Sequence, residues 1–213
     1  MERVKGFLKS EGKWIIVFFC MLAFLLIAED VFNKELMKGD VIGYSLVSKF
    51  LISTSLTPFV KFIANLGGAI FLISFSIVLF LVIKNKKIGL SIIANLGIVT
   101  ILNQALKFLL RRPRPTGYRL VEETGFSFPS GHSMVSLAFY GYLIYLVYKY
   151  IKNKYIKWTI INLLSMLILS IGISRIYLGV HYTSDVIGGF LMSFSYLVIY
   201  ICLVKKYLIK PKN

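Results

Sequence analysis

Histidine, cysteine and acidic side chains are all scarce in this chain of 213 residues, which holds two histidines, two cysteines and nine Asp plus Glu. Cys20 and Cys202 each lie inside an apolar run. That placement excludes a disulfide framework and a thiolate metal pair, and leaves both as small buried hydrophobes. Internal repeats, low-complexity tracts and soluble appendages are also missing, so residues 1–213 are expected to form a single membrane-embedded domain. The shortage of acids leaves a net charge of +16. In a soluble chain that charge would point to nucleic acid, but here Lys and Arg fall in short clusters between long apolar runs, and no nucleic-acid partner is expected.

What is abundant is apolar surface. Hydrophobic residues make up 57% of the chain, well above the roughly half found in ordinary soluble proteins. Six stretches approach the roughly 20 apolar residues a transmembrane helix needs: about 13–28, 62–83, 88–110, 130–151, 158–179 and 185–204. The expected fold is therefore an all-α integral membrane bundle of six transmembrane helices. A basic start before a short apolar run also fits a signal peptide, but Ile27-Ala28-Glu29 is a poor cleavage site, so the first helix is expected to be retained.

Orientation follows from the basic residues, because cytoplasmic connections carry the excess. Fifteen of the twenty-five Lys and Arg fall before the first span, between the second and third, between the fourth and fifth, and after the sixth. Both termini are then cytoplasmic, in the cell membrane and most simply a bacterial one. The connection of about 29–61 lies on the outer side. Within it, Val41 to Leu56 places Ser45, Ser48 and Lys49 on one helical face and Ile42, Leu46, Val47 and Phe50 on another. A helix lying on the membrane surface and a loop without a binding role both fit that pattern.

Three polar islands interrupt the apolar background. Lys107 leads to Arg114-Pro115; Pro129-Ser130-Gly131-His132 opens the fourth span; Ser174-Arg175 closes the fifth, with His181 and Asp185 at the start of the sixth. Ionisable groups at membrane depth are expensive and point to function. By parity, all three islands lie at the outer ends of their helices and can meet there. Lys107, Arg114 and Arg175 would form an anion site, with guanidinium forks suited to phosphate oxygens. Ser130 reads as an N-cap that leaves the Gly131 and His132 amides facing an anion, while Gly131 permits close backbone approach. The four-residue gap places Asp185 where it can hold one ring nitrogen of His181 and free the other to attack phosphorus. His132 could then protonate the leaving oxygen and activate water. A zinc site built from the same histidines and Asp185 is conceivable, but three fixed cations would oppose a divalent ion while stabilising a phosphoryl group.

The patterns K-x6-R-P (107–115), P-S-G-H (129–132) and S-R-x5-H-x3-D (174–185) together resemble the signature of the type 2 phosphatidic acid phosphatase superfamily, which includes phosphatidylglycerophosphatases and undecaprenyl pyrophosphate phosphatases. The resemblance implies His181 as nucleophile through a phosphohistidine, Asp185 as the group that orients it and His132 as acid and base. It assigns phosphate binding to Lys107, Arg114, Ser130, Gly131 and Arg175, with no cofactor and no metal. The implied substrate is a membrane lipid phosphate, first phosphatidylglycerophosphate and second undecaprenyl pyrophosphate, hydrolysed at the outer face. A non-catalytic phosphate-lipid transporter or binding protein, or a phosphotransferase, is the competing class. Arg111, Arg112 and Arg119 read as headgroup contacts, Tyr118, Tyr177 and Tyr182 as interfacial aromatics, and Gly67, Gly68, Gly188 and Gly189 as helix-packing positions. Protein partners and oligomeric state have no readable code.

Overall fold

A backbone in hydrocarbon must satisfy its polar groups within its own segment, and long apolar runs therefore fold as helices. The computed structural model describes residues 2–34 and 37–207, with side chains from residues 11 to 206 of these. Its eight helices are α1 (Glu2–Phe32), α2 (Lys38–Phe50), α3 (Thr57–Leu66), α4 (Ala69–Val82), α5 (Lys86–Leu110), α6 (Gly131–Tyr150), α7 (Lys154–Tyr177) and α8 (Thr183–Tyr207). There is no strand among the described residues. Of the basic residues that set the expected orientation, the side chains of Arg3, Lys5 and Lys9, and all of Lys210 and Lys212, lie outside the described residues.

Four helices, α1, α5, α7 and α8, are long and apolar enough to cross a membrane, and α3 with α4 makes a fifth if that pair, bent by 48°, is one span. The bend falls at Gly67-Gly68, inside the stretch expected to be one continuous helix. A Cβ on Gly67 would come within 2.7 Å of both Ile171 and the Ser136 hydroxyl, so α3 and α4 reach the bundle interior by giving up side-chain volume there. Helix α6 has 20 residues, but its serines and tyrosines dilute its hydropathy. It can carry them because α5, α7 and α8 all pack against it, burying Ser133, Ser136, Tyr140 and Tyr142. Lipid sees the neighbours instead, through exposed residues such as Phe18, Phe19 and Leu26 on α1 and Leu163 and Met166 on α7.

Between apolar helices in lipid the hydrophobic effect adds little, and interhelical hydrogen bonds contribute roughly 0.6–2 kcal/mol each. Those present tie α6 into place. Asn95 Nδ2 donates to Ala138 O at 2.8 Å, the Tyr140 hydroxyl donates to Leu66 O at 2.7 Å, and Ser193 Oγ donates to Met134 O at 2.7 Å. Around them pack Leu72, Ile92, Phe139 and Ile171 in one cluster and Phe24, Val99, Phe128 and Met134 in another. Cys20 and Cys202 are free thiols, only partly buried.

The connection expected to be either a surface helix or a plain loop contains α2, packed against α7 and α8. It leaves Val41, Ile42, Leu46 and Phe50 exposed, and the Ser45 and Ser48 hydroxyls donate back to carbonyls of their own helix. Tyr177 is not an interfacial aromatic. It is 1% exposed, and its hydroxyl joins Ser53 and Thr57 across the start of α3, because α3 lies along α7 and covers it.

Candidate active site

Helix α5 ends, α6 begins, α7 ends and α8 begins at one end of the bundle, and the segments between them close over one cavity. Arg111 stops α5 in the left-handed region, at φ 47°. From there the chain crosses to α6 held by three bonds: Ser127 N–H to Arg112 O at 2.9 Å, Ser127 Oγ to Pro113 O at 3.0 Å, and Leu120 N–H to Leu178 O at 3.0 Å. Gly179 has φ +70°, and a Cβ there would lie 2.0 Å from Tyr118 O. Only glycine fits that crossing.

Ser130 caps α6, accepting from Ser133 N–H at 3.4 Å and from the Ser133 hydroxyl at 2.9 Å, while its own N–H donates to Asp185 O at 3.0 Å. Its polar groups are thereby spent on joining α6 to α8. The next two amides, of Gly131 and His132, precede the first intrahelical bond from Met134 N–H to Ser130 O and lie at the positive pole of the helix.

The cavity measures about 300 Å³, and Lys107, Arg114, Glu123, Gly131, His132 and His181 line it. His181 Nδ1 lies 3.1 Å from Asp185 Oδ2, and that oxygen also accepts the Tyr182 N–H at 2.9 Å. The other ring nitrogen, Nε2, lies 3.1 Å from Arg114 Nη1. With a carboxylate at Nδ1 and a guanidinium at Nε2, the ring carries its proton on Nδ1 and a lone pair on Nε2. Arg114 is fixed by Val180 O at 3.0 Å, Thr124 O at 3.0 Å and Gly125 O at 3.1 Å. Lys107 Nζ donates to Phe126 O, and to Ser127 O at 3.4 Å. Arg175 does not line the cavity itself; its Nη2 is bonded to Glu123 Oε1, and Glu123 does line it.

Burial, opposed by the Asp185 carboxylate, pushes the His181 imidazole down to about 4, so at neutral pH it is uncharged. Burial alone would raise Glu123, but Arg175 and Arg114 outweigh it and hold the carboxyl below its ordinary value. Among the described residues, no group of three or more His, Cys, Asp or Glu is arranged to hold a metal ion.

Comparison with known proteins decides the family. Residues 88–208 match the model of the PAP2 superfamily. The chain belongs to the PAP2 superfamily. It is 31% identical over 176 residues to a phosphatidylglycerophosphatase B of Bacillus subtilis, covering 79% of this chain and 85% of that one. It is 27% identical over 168 residues to an undecaprenyl-diphosphatase of Sulfolobus acidocaldarius, covering 76% and 73%. The crystal structure of a transmembrane PAP2-type phosphatidylglycerolphosphate phosphatase from Bacillus subtilis superposes with a TM-score of 0.79 at 28% identity, over 92% of this chain and 98% of that chain. With its apolar helices, this PAP2 protein is a multi-pass membrane lipid phosphatase, a hydrolase.

Four residues at this PAP2 site escaped the sequence. Arg112, expected among lipid headgroups, is 6% exposed; it stacks on Tyr182 at 4.0 Å and bridges Asp185 and Asp40, each at 2.7 Å. The two carboxylates outweigh burial and hold its guanidinium above the ordinary value. Asp40 comes from α2, which no motif marks. Glu123 pairs with Arg175, and Asn103 Nδ2 donates to Pro129 O at 3.2 Å beneath the α6 start. For Arg112 one signal was available: a second arginine two positions before Arg114, near a segment already suspected.

Proposed function

We propose that this membrane lipid phosphatase hydrolyses phosphatidylglycerophosphate to phosphatidylglycerol and phosphate through a phosphohistidine on His181. The observation that carries the reading is the ring of His181, tied through Nδ1 to Asp185 and presenting Nε2 beside Arg114 in the cavity that also holds His132 and Lys107. Nε2 attacks phosphorus and the P–O ester bond breaks. His132 gives its proton to the leaving alkoxide. Water then attacks the phosphohistidine, His132 takes its proton, the P–N bond breaks and phosphate leaves. Asp185 stabilises the imidazolium character that His181 acquires. Lys107 and Arg114, together with the Gly131 and His132 amides, neutralise the phosphoryl oxygens. Arg175 is presented to the phosphate by Glu123, and Ser130 acts by fixing the α6 start. On this reading no metal takes part, since the fixed cations supply the positive charge a metal would bring.

The proposed topology is a single domain of six spans, with the bent α3 and α4 as one and the interior α6 as another, both termini in the cytoplasm and the cavity at the outer face. The relative named undecaprenyl-diphosphatase supports a second substrate, the pyrophosphate of a prenyl carrier.

Purified protein in a chelating buffer should release phosphate from phosphatidylglycerophosphate faster than from undecaprenyl pyrophosphate in one detergent. The reverse order would favour the second substrate. His181→Ala should lose at least about a thousandfold in kcat, and substrate labelled with ³²P should leave alkali-stable label on the wild-type chain and none on the variant. Retained turnover in His181→Ala would refute the nucleophile.

A further inference from the structure

Two buried charges, Arg112 and Asp40, lie directly behind the His181–Asp185 pair. Arg112 Nη1 donates to Asp185 Oδ1 at 2.7 Å, and Arg112 Nη2 donates to Asp40 Oδ2 at 2.7 Å. Asp40 in turn accepts the Ser184 N–H on Oδ1 at 2.7 Å and the Ser184 hydroxyl on Oδ2 at 2.9 Å. It thereby caps α8 from another helix, at the residue immediately before the one that faces His181. The side chains of Arg112, Asp40 and Asp185 are 6%, 2% and 0% exposed.

We propose that Arg112 and Asp40 are positioning residues for the hydrolysis, the first pinning Asp185 in the rotamer that addresses His181 and the second preserving the negative charge that His181 feels. A carboxylate bonded only through Oδ2 could rotate about its Cβ–Cγ bond. With Oδ1 held by a guanidinium that is itself locked onto Asp40 and stacked on Tyr182, Oδ2 stays on Nδ1 of His181 and the Tyr182 amide.

Charge explains why the clamp has a second acid. Arg112 alone would neutralise Asp185 and remove most of its attraction for the imidazolium formed during phosphoryl transfer. Asp40 cancels that cation, so Arg112, Asp40 and Asp185 together carry a net charge of about −1 beside the ring. Arg114 and Lys107 line the cavity on the other side of the ring together with His132, and Arg175 sits behind Glu123, which offsets it. The compensating charge behind His181 therefore comes from this trio. The proposal rests on His181 and Asp185 acting as a pair.

The test uses full-length protein with ¹⁵N-labelled histidine, which is tractable because the chain has two; His132→Gln identifies the His181 signals. Wild type should show the Nδ1–H tautomer of His181, and Arg112→Gln and Asp40→Asn should show mixtures. With dioctanoyl phosphatidic acid as substrate, both variants should lose about thirtyfold or more in kcat, with KM and inhibition by inorganic phosphate within about threefold. The double variant should fall little further than Arg112→Gln, since the two act as one unit. If Arg112→Gln does not fold, Arg112→Lys, which can reach one carboxylate only, should give an intermediate loss. An unchanged tautomer, or kcat within about threefold of wild type, overturns the proposal, as does a loss of kcat matched by losses in KM and phosphate affinity. A wild-type protein that turns over no lipid phosphate would instead count against the proposed reaction, and the tautomer measurement would still decide the role of Arg112 and Asp40.

Discussion

His181 is buried at the cavity wall, with Asp185 at one ring nitrogen and Arg114 at the other, and its protonation decides both chemistry and stability. Its folded value of about 4 lies below the ordinary histidine value of 6.5. The unfolded chain therefore binds a proton between pH 6.5 and 4 that the folded chain refuses. The stabilisation from this group is complete above about pH 6.5 and is lost as the pH falls towards 4, amounting to about 3 kcal/mol over that window. The melting temperature should drop as the pH is lowered from 6.5 to 4.5, and drop less in His181→Gln. Equal slopes would show that the imidazole is not held neutral. Arg114→Lys keeps a charge but gives up the fork that reaches Val180, Thr124 and His181 together. It should cut kcat/KM by about a hundredfold, measured with phosphate release.

Helix ends do the positioning, and they are tightly specified. The Gly179 turn brings the 111–129 segment onto the end of α7, with no room for a methyl group beside Tyr118 O. Gly179→Ala adds that clash to an unfavourable φ and should cost at least about 2 kcal/mol, read as a fall in melting temperature, with activity falling because the Arg114 carbonyl partners move. Tyr177→Phe removes the hydroxyl bonds to Ser53 and Thr57 that pin α3 against α7. It should lose about 1 kcal/mol with kcat/KM essentially unchanged, because Tyr177 lies outside the cavity lining. The α6 cap was legible in the sequence, since Ser before Gly-His at the edge of an apolar run leaves few other arrangements. The break at Gly67-Gly68 was not. Glycines are common in membrane helices, and this pair bends the chain because Ile171 and Ser136 occupy the space beside it, information held by two other helices.

For the molecule as a whole, the distribution of basic residues makes a prediction about sidedness. In a Cys20→Ser, Cys202→Ser background, Tyr118→Cys on the exposed loop over the cavity should react with a membrane-impermeant maleimide in intact cells, whereas Lys154→Cys at the start of α7 should react only after permeabilisation. The opposite pattern would place the cavity in the cytoplasm. Composition is a good guide at this scale because lipid imposes one requirement on every outward face, while an interior helix such as α6 is exempt and so falls below the usual apolar threshold.

The sequence by itself determined that the chain is helical, that it belongs in a bilayer, and that Lys107, Arg114, His132 and His181 sit at helix ends able to converge. Each of these follows from scarcity: a charge or an imidazole in an apolar run stands out against its neighbours. Only the tertiary structure decided who partners whom. Arg112 reaches Asp40 across 72 residues and Asp185 across 73, and Arg175 reaches Glu123 across 52. In each case a buried charge is stable only beside its counterion, and that counterion is chosen by the path of the loops and the docking of α2 on α8, which local sequence pattern does not encode.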